Sequence, residues 1–327
     1  MYKTVIVGAG SIGALKPHIY DSPDTKEILT HAHACYSHPD IDLIGIIDKD
    51  FDKAYTAANK WYTNPYEDIS HIKKDIDIII VATPTNTHKD VLLECLNYNP
   101  KIMIAEKPFC LNSTEAKEVI EVYEEKRIPI IVDYIRAFDY NLSAIVDAIS
   151  DGDFGQIYSV ILYYVRGFSH EACHAIELFN RMLGNFITGK LFKTGNIFDD
   201  GPSISYTVHL KYEKCPNVIM IPIDSRKAYN VFNIEIMTDK GKVVFSEHGK
   251  YSEFYNTMPE PTYGNYKTLS VFPVTRIETN LTVDLIQVLY EAVNYIQGKT
   301  DGISRMSCIA SDTLKVHEVM EEILKGE

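Results

Sequence analysis

Short runs of apolar, mostly β-branched residues alternate with amphipathic segments over the first 132 residues. The runs lie at Thr4–Val7, Asp42–Ile47, Ile76–Val81, Ile102–Ala105 and Ile128–Val132. Helical patterns separate them, over Asp52–Trp61, His88–Tyr98 and Thr114–Lys126. Uniformly apolar strands joined by helices predict right-handed crossovers and a parallel sheet covered on both faces. We therefore predict a doubly wound α/β domain over residues 1–132.

A different pattern begins after a helix predicted near Leu142–Ser150. Longer runs with partial alternation follow, at Ile157–Val165, Ser203–Tyr212, Val218–Ile223, Val231–Met237 and Lys242–Phe245. Two amphipathic helices close the chain, near Val283–Ile296 and Ser307–Leu324. Alternation is typical of strands with one covered face. We predict a second domain over residues 133–327, of the α+β class, with a large, mostly antiparallel open sheet.

Charge and cysteine content narrow the class of protein. The 327-residue chain is long enough for two domains and has a formal net charge of −13, which disfavours nucleic acid and anionic membrane surfaces as partners. Its six cysteines are scattered without a CxxC pair, which is typical of reduced thiols. The N-terminus lacks the pattern of a signal peptide, and no segment has the length and hydropathy of a membrane span. We expect a cytoplasmic protein.

A glycine motif follows the first strand directly. Gly8, Gly10 and Gly13 form GxGxxG at a strand-to-helix turn, the context that predicts a Rossmann dinucleotide site. The predicted cofactor-contacting residues here are Gly8, Gly10, Ser11, Ile12 and Gly13. Asp48 ends the second strand, where its carboxylate would accept hydrogen bonds from a ribose and repel a 2′-phosphate. This residue favours NAD over NADP as the cofactor.

The spacing between these two signals is unusual. Asp48 lies 35 residues after Gly13, whereas roughly 20 are expected. Pro17 and the residues after it interrupt a helix at this point. We interpret the segment as an inserted loop and predict that the helix begins near Asp24 or Thr25 and runs to Ser37.

Three motifs in order resemble one enzyme family. GAGSIG, then Thr83-Pro-Thr-Asn-Thr-His88, then Glu106-Lys107-Pro108 are similar to the Gfo/Idh/MocA oxidoreductases, the glucose–fructose oxidoreductase and inositol dehydrogenase family. VDYIRAFD at 132–139 and the two closing helices extend the resemblance over nearly the whole chain. It implies NAD-dependent hydride transfer at a secondary hydroxyl of a sugar, nucleotide-linked sugar or cyclitol. We also expect a homodimer or homotetramer formed through the C-terminal sheet.

By this resemblance, Lys107 contacts the substrate hydroxyl and the nicotinamide region. A cationic donor there stabilises the negative charge of a developing alkoxide. Pro108 would fix the backbone and so orient the lysine. One form of this hypothesis has a cis peptide between Lys107 and Pro108. The alternative is a solvated ion pair of Glu106 and Lys107 at the surface. The further cofactor contacts implied are Thr83, Pro84, His88, Glu106, Lys107 and Arg136.

Two of these assignments have structural alternatives. His88 would be an exposed residue at a helix N-terminus, and Arg136 would form a salt bridge with Asp139. Tyr134 leaves the last strand of the first domain and is a candidate substrate contact. Tyrosines at 251–266 suggest a substrate lid or a loop packed by its own aromatic side chains.

The resemblance places the catalytic base at His174, on a helix of the second domain. Imidazole suits this task near neutral pH. One turn earlier the family has an aspartate and this chain has His170, which puts the proton path in doubt. His170 therefore has two possible roles, in catalysis and in binding a substrate anion. The predicted substrate contacts are Lys107, Tyr134, Arg166, His170 and His174.

Two other functions stay open. Residues 170–174 read HEACH, a match to the HExxH zinc motif of metalloproteases, although five letters arise readily by chance. We predict no metal. The second alternative is an NAD(H)-binding regulator of the same fold without turnover, which the change from aspartate to His170 makes more plausible.

Overall fold

The chain divides into two compact units. The computed structural model describes residues 1–73, 75–192, 197–199, 201, 203–300 and 306–325. Unit 1 comprises Met1–Phe138 and Leu281–Leu314, and unit 2 comprises Asp139–Asn280 and Lys315–Glu327. The predicted division after residue 132 lies near the end of the first segment of unit 1. The return of residues 281–314 to that unit has no signal in the sequence.

Unit 1 is built on a six-stranded parallel sheet. Its strands are β1 (Tyr2–Val7), β2 (Ile41–Ile47), β3 (Pro65–Tyr66), β4 (Ile78–Val81), β5 (Ile102–Glu106) and β6 (Ile130–Asp133). The strand order is β3-β2-β1-β4-β5-β6, and every neighbouring pair is parallel. This is the strand order of a Rossmann fold, so the predicted doubly wound α/β architecture is confirmed.

Eight α-helices accompany the two sheets in the described part of the chain. They are α1 (His31–Ser37), α2 (Phe51–Lys60), α3 (His88–Cys95), α4 (Ser113–Lys126), α5 (Tyr140–Asp151), α6 (Cys173–Met182), α7 (Asp284–Ile296) and α8 (Ala310–Leu324). The N-cap of α4 is as expected, since Asn112 Oδ1 accepts the Glu115 N–H at 2.9 Å. Within unit 1, α7 packs against α1, and the ring of Tyr290 contacts that of His38 in a tilted arrangement.

Unit 2 is built on a nine-stranded mixed sheet. Its strands are β7 (Ile157–Tyr164), β8 (Phe186–Phe192), β9 (Thr207–Tyr212), β10 (Val218–Pro222), β11 (Phe232–Thr238), β12 (Gly241–Ser246), β13 (Tyr251–Pro259), β14 (Lys267–Leu269) and β15 (Thr275–Glu278). The order is β14-β13-β12-β11-β7-β10-β9-β8, with β15 beside β13. Only β7 and β10 pair in parallel among these strands, which confirms the mostly antiparallel sheet.

One expectation about these segments changes. Residues 251–259 are a strand that pairs with β12 over 251–256 and with β14 over 257–259, so neither a lid nor a loop describes them. All six cysteines are free and buried. Among the residues described, no helix has both the length and the apolar character needed to cross a bilayer.

Candidate cofactor and active site

The three glycines of the GxGxxG motif lie in three different environments. Gly8 has a φ of +110°, and a Cβ built there would lie 2.5 Å from the Ala82 carbonyl oxygen. A Cβ on Gly13 would lie 1.9 Å from the Gly8 oxygen. A Cβ on Gly10, by contrast, would have no heavy atom within 4 Å. Gly8 and Gly13 thus permit the tight turn and its packing, whereas Gly10 leaves open space for a ligand.

The first helix is interrupted after a single turn. The Ala14 N–H bonds to the Gly10 oxygen, and the next helical bonds run from His31 N–H to the Ile12 oxygen at 3.0 Å and from Ala32 N–H to the Gly13 oxygen at 2.9 Å. In a continuous helix the Ile12 oxygen would accept from residue 16. His31 therefore occupies the place of residue 16, and fifteen residues are inserted.

This insertion explains the unusual spacing. Without the fifteen inserted residues, the separation of 35 between Gly13 and Asp48 becomes 20, the expected value. The predicted start of the helix near Asp24 or Thr25 is wrong, because α1 begins at His31 with Thr30 as its N-cap. The inserted segment is a loop stabilised by Asp21, a buried carboxylate that accepts from the Thr30 hydroxyl at 2.9 Å.

Asp48 lies where the sequence places it, at the end of β2. Its Oδ2 accepts the Ala9 N–H at 2.9 Å, and its Oδ1 accepts the Asp50 N–H at 2.9 Å. These two bonds attach the carboxylate to the glycine loop on one side and to the start of α2 on the other. The orientation of Asp48 is therefore fixed before any ligand arrives.

A cavity of about 390 Å³ opens beside this loop, entirely within unit 1. Five of the predicted cofactor residues line it, namely Gly8, Gly10, Asp48, Thr83 and Pro84. Lys49, Lys53, Glu67 and Asp68 line it as well and were not predicted. Ser11 is exposed, and Ile12 contributes its carbonyl to α1. The lining combines apolar residues such as Val7, Ile47 and Ile69 with several charged ones, which is the character of a nucleotide pocket.

His88 is buried, so the alternative of an exposed histidine is wrong. Its Nε2 lies 2.8 Å from the Thr83 oxygen, and its Nδ1 lies 3.1 Å from the Phe109 oxygen. Both ring nitrogens thus face backbone carbonyls, one in the loop after β4 and one in the loop after β5. We interpret His88 as a connection between these two loops, which orients Thr83 toward the cavity.

Glu106 and Lys107 end strand β5 at the carboxyl edge of the sheet. Glu106 is buried, so a solvated ion pair at the surface is wrong for this residue. Its Oε1 lies 3.0 Å from His31 Nε2, and its Oε2 accepts the Lys107 N–H at 3.1 Å. The Lys107–Pro108 peptide is cis, and Lys107 is half-buried.

Asp133 joins this group from the neighbouring strand. It pairs in register with Glu106, and its Oδ2 lies 3.6 Å from His31 Nε2. Burial raises the pKa of Asp133 to about 7, with a further contribution from the charge of Glu106. Burial opposes the charge of His31, but the hydrogen bond with Glu106 and the nearby carboxylates raise its pKa above the usual value. Burial also opposes the charge of Glu106, whose pKa is nevertheless lowered by His31 and Lys107.

His31 and Asp133 were missed at the sequence level. The signal for Asp133 was its position, because the carboxyl ends of β5 and β6 meet at one edge of the sheet. His31 was hidden by the insertion. In the described part of the chain, these two residues and Glu106 form the one cluster of three His, Cys, Asp or Glu side chains close enough to share a metal ion. The HEACH segment belongs to no such cluster there.

Tyr134 and Arg136 follow β6 around a single 3₁₀ turn, Ile135–Ala137. Both are buried, Tyr134 completely. Asp139, proposed as a partner of Arg136, accepts the N–H groups of Leu142 at 2.7 Å and Asn280 at 2.6 Å, and so caps α5. The burial of Tyr134 argues against direct contact with a substrate.

The two histidines of HEACH lie in unit 2, and the helix changes from π to α between them. Phe168–Ala172 is a π-helical turn that contains half-buried His170, and α6 begins at Cys173 with His174 buried. The expected single α-helix through this segment is therefore wrong. Ser203 Oγ accepts the Ser169 N–H at 3.1 Å and holds the turn. Arg166 precedes the turn, exposed and with a φ of +62°. Turns of this type occur frequently at functional sites.

Comparison with known sequences gives a family match and several partial relatives. Residues 2–134 match the Gfo/Idh/MocA model, an oxidoreductase family with an NAD-binding Rossmann fold. Inositol 2-dehydrogenase of Rhizobium meliloti strain 1021 is 28% identical over 163 residues, which cover 48% of this chain and 43% of that protein. The scyllo-inositol 2-dehydrogenase (NAD(+)) of Bacillus subtilis strain 168 is 34% identical over 115 residues, 35% of this chain and 31% of that protein. The matches thus span less than half the length of either relative.

Solved structures resemble the chain over its whole length. An inositol dehydrogenase homologue complexed with NAD+ from Azotobacter vinelandii has a TM-score of 0.76 at 14% identity and covers 99% of this chain and 95% of that one. The WlbA dehydrogenase from Bordetella pertussis, in complex with NADH and UDP-GlcNAcA, has a TM-score of 0.75 at 16% identity, with coverage of 99% and 96%. At these identities the likeness shows the fold alone. The glycine motif, the Rossmann sheet and the family match together make residues 2–134 similar to the Gfo/Idh/MocA oxidoreductases, a family with an NAD-binding Rossmann fold.

Proposed function

We propose that this protein is an NAD-dependent oxidoreductase. It transfers hydride between nicotinamide and a secondary hydroxyl or keto group of a sugar, nucleotide-linked sugar or cyclitol. The observation that carries the proposal is the open space at Gly10, in a cavity of about 390 Å³ that Asp48 also lines. A pyrophosphate needs backbone without a side chain at this position, and a ribose needs an acceptor at the end of β2.

NAD is the proposed cofactor, rather than NADP. The argument rests on Asp48, whose two backbone hydrogen bonds keep its negative charge at the end of β2. Lys49 and Lys53 line the same cavity and would attract a 2′-phosphate. Lys53, however, is paired with Asp50 at 3.2 Å. The fixed carboxylate therefore outweighs the one remaining lysine in this proposal.

In the proposed mechanism, bound NAD supplies the hydride acceptor and the chain handles the proton. His174 takes the proton of the substrate hydroxyl as general base, with His170 as its neighbour in place of the family's aspartate. The ammonium group of Lys107 stabilises the oxygen as negative charge develops on it. Arg166 and His170 are the proposed contacts for a substrate anion, because both reach solvent in unit 2.

The substrate class is supported by what related proteins are known to bind. A homologue from Azotobacter vinelandii was crystallised with NADH and myo-inositol, and the Bordetella pertussis dehydrogenase with NADH and UDP-GlcNAcA. Both ligands are polyhydroxylated rings. A cytoplasmic location is part of the proposal and is supported by the six free cysteines.

Self-association through unit 2 is also proposed, as a homodimer or homotetramer. Its support is a group of exposed apolar side chains on and beside β13–β15, namely Met258, Tyr263, Tyr266, Val271, Phe272 and Val274. Apolar groups exposed in this number are typical of interaction sites. Light scattering on the protein as it elutes from a size-exclusion column measures the oligomeric state directly. A monomer at all concentrations would refute the proposed self-association.

Gly10→Ala tests the proposed cofactor site. The added methyl meets no protein atom, so the variant should unfold at the same urea concentration as the wild type. It should bind NAD at least about tenfold more weakly, a loss of about 1.4 kcal/mol, because the methyl lies where the pyrophosphate approaches. Gly264→Ala is the matched control, since Gly264 likewise has open space and lies in unit 2.

Binding is measured by calorimetry with NAD and with NADP. Turnover is followed by NADH absorbance with myo-inositol, scyllo-inositol, simple sugars and UDP-sugars. A wild-type protein that binds neither dinucleotide would refute the proposal. NAD binding that depends on Gly10, without turnover of any substrate in the panel, would favour the regulator instead.

A further inference from the structure

A buried cluster at the carboxyl edge of the sheet in unit 1 is not explained by the proposed reaction. Glu106 and Asp133 are register partners on β5 and β6, and one ring nitrogen of His31, from α1, faces both carboxylates. His31, Glu106 and Asp133 are only 1%, 7% and 3% exposed. Two carboxylates packed together in a buried place are costly unless a cation or a proton lies between them.

The Asp133 side chain lacks a hydrogen-bond partner among the described residues. Its Oδ2 lies 3.6 Å from His31 Nε2, which is too far for a hydrogen bond, and its Oδ1 is unpaired as well. Glu106, by contrast, uses both oxygens: Oε1 lies 3.0 Å from His31 Nε2, and Oε2 accepts the Lys107 N–H at 3.1 Å. A carboxylate that is buried, unpaired and directed at two other potential ligands indicates a binding site for an ion.

The spacing of the three side chains suits a transition-metal ion. Their potential ligand atoms all lie within 4.8 Å of one another. Bonds of about 2.0–2.2 Å place the ligand atoms of a tetrahedral zinc ion about 3.3–3.6 Å apart, and the separations of 3.0 Å and 3.6 Å from His31 Nε2 lie close to the two ends of this range. Both oxygens of Asp133 are available, so a bidentate Asp133 completes four ligand atoms with His31 Nε2 and Glu106 Oε1.

Charge and ligand type narrow the ion to one class. As metal ligands, two carboxylates and a neutral imidazole carry a charge of about −2, which a divalent cation balances in a buried place. The ion takes the place of the proton that otherwise lies between His31 and Glu106. The imidazole nitrogen favours Zn²⁺ and its neighbours in the first transition series, and carboxylate oxygens also suit Mn²⁺. Ca²⁺ needs about six to eight oxygen ligands and Mg²⁺ keeps several waters, and neither requirement fits three buried side chains.

We propose that His31, Glu106 and Asp133 form a binding site for one divalent transition-metal ion, Zn²⁺ or Mn²⁺. The site is structural, because its ligands are buried and leave no position open to a substrate. The ion joins α1 to the ends of β5 and β6, and the Lys107 N–H on Glu106 Oε2 orients that ligand from outside. The inference does not depend on the proposed function, and the HEACH segment lies in the other unit.

The metal content of the purified protein tests the site without substrate or NAD. The chain is produced without an affinity tag in cells grown with added Zn²⁺ or Mn²⁺, and inductively coupled plasma mass spectrometry gives the number of ions per chain after gel filtration. We expect about one ion per chain. Free Zn²⁺ or Mn²⁺ should also raise the urea concentration at which the protein unfolds above that in EDTA, because the ion binds the folded state alone.

Two variants remove ligands with little change of shape. Asp133→Asn and Glu106→Gln each replace a carboxylate by an amide and should lower the metal content at least about tenfold. Asp77→Asn is the matched control, since Asp77 lies at the amino edge of the same sheet, before β4, and pairs with Lys101. It should keep the ion, and so should His170→Ala in the HEACH segment. Circular dichroism shows that each variant is folded.

The outcomes separate this site from its alternatives. An ion that is lost from Asp133→Asn and Glu106→Gln but kept by both controls supports the inference, and its identity names the metal. Wild-type protein with neither metal bound, and with the same unfolding in EDTA as in free metal, overturns it. If both amide variants fail to fold, X-ray absorption on the wild type counts the imidazole ligands: one supports the inference, whereas two overturn it in favour of HEACH. Turnover of a polyol, or its absence, tests the proposed function alone.

Discussion

The inserted loop should be removable without loss of the fold. Excision of residues 16–30 joins Leu15 directly to His31. In the resulting chain, the residues joined by the backbone hydrogen bonds of this helix are four apart in sequence, as in a continuous α-helix. The Ile12 and Gly13 oxygens already accept from His31 and Ala32, so the bonds that a continuous helix needs are present in the native protein. Trp61 Nε1 donates to the Ala14 oxygen, which is retained.

The expected cost can be worked from the contacts that the loop makes. Loss of the buried Ile28 side chain destabilises by about 2 kcal/mol. The ion pair of Asp21 with Lys60, and the hydrogen bond from the Ile28 N–H to the Thr282 oxygen, add about 1 kcal/mol each. Closing a loop of fifteen residues costs about 2 kcal/mol, which the excised protein no longer needs. The net destabilisation is about 2 kcal/mol, small against a total stability of about 5–15 kcal/mol.

Urea unfolding followed by tryptophan fluorescence measures this difference in unit 1, since Trp61 is the only tryptophan. NAD affinity should stay within about threefold of the wild type, because the glycine loop is unchanged. Excision of residues 16–28 is the control: two residues in excess break the helical register, and this variant should be the less stable one. Equal stability of the two variants, or an unfolded product from the first, would refute the idea of an interrupted helix.

Two further predictions concern single side chains. Gly13→Ala places a methyl 1.9 Å from the Gly8 oxygen and should destabilise by about 1–3 kcal/mol, measured by urea unfolding; unchanged stability would contradict the packing described. Burial lowers the pKa of His317 to about 4, below the usual 6.5 of the unfolded chain. Its contribution to stability is therefore complete above pH 6.5 and lost as the pH falls toward 4, by about 3 kcal/mol. His317→Leu should flatten this part of the pH–stability curve, and a curve of unchanged slope would show that other groups control it.

Much of the fold could be predicted because apolar runs report burial directly. Strands β4 and β5 are buried at every residue, and both were recognised within two residues of their ends. Strand β8 was missed for the same physical reason, since most of its residues reach solvent and it carries no apolar run. Strand β13 was missed because its buried residues include Ser252, while its tyrosines lie on the half-exposed face.

The candidate site shows the same division between residues that the sequence predicts and residues that it does not. Gly10, Asp48 and Thr83 line one cavity, as expected, because motifs at strand ends of a parallel sheet converge by geometry. The partner of Glu106 could not be predicted from spacing. His31 reaches it only because the loop before α1 folds back into helical register, a result of hydrogen bonds between residues far apart in sequence.

The discontinuity of unit 1 has a consequence for synthesis on the ribosome. Its sheet is complete in sequence by Asp133, yet the segment carrying α7 is translated only after residue 280. In the finished protein the Ile28 N–H donates to the Thr282 oxygen and the Val132 N–H donates to the Cys308 oxygen, so neither bond forms before those acceptors are synthesised. At about 5–20 residues per second, the nascent Rossmann sheet spends roughly 7–30 s without its last helix. During that interval the surface of α1 that later contacts α7 is exposed to solvent.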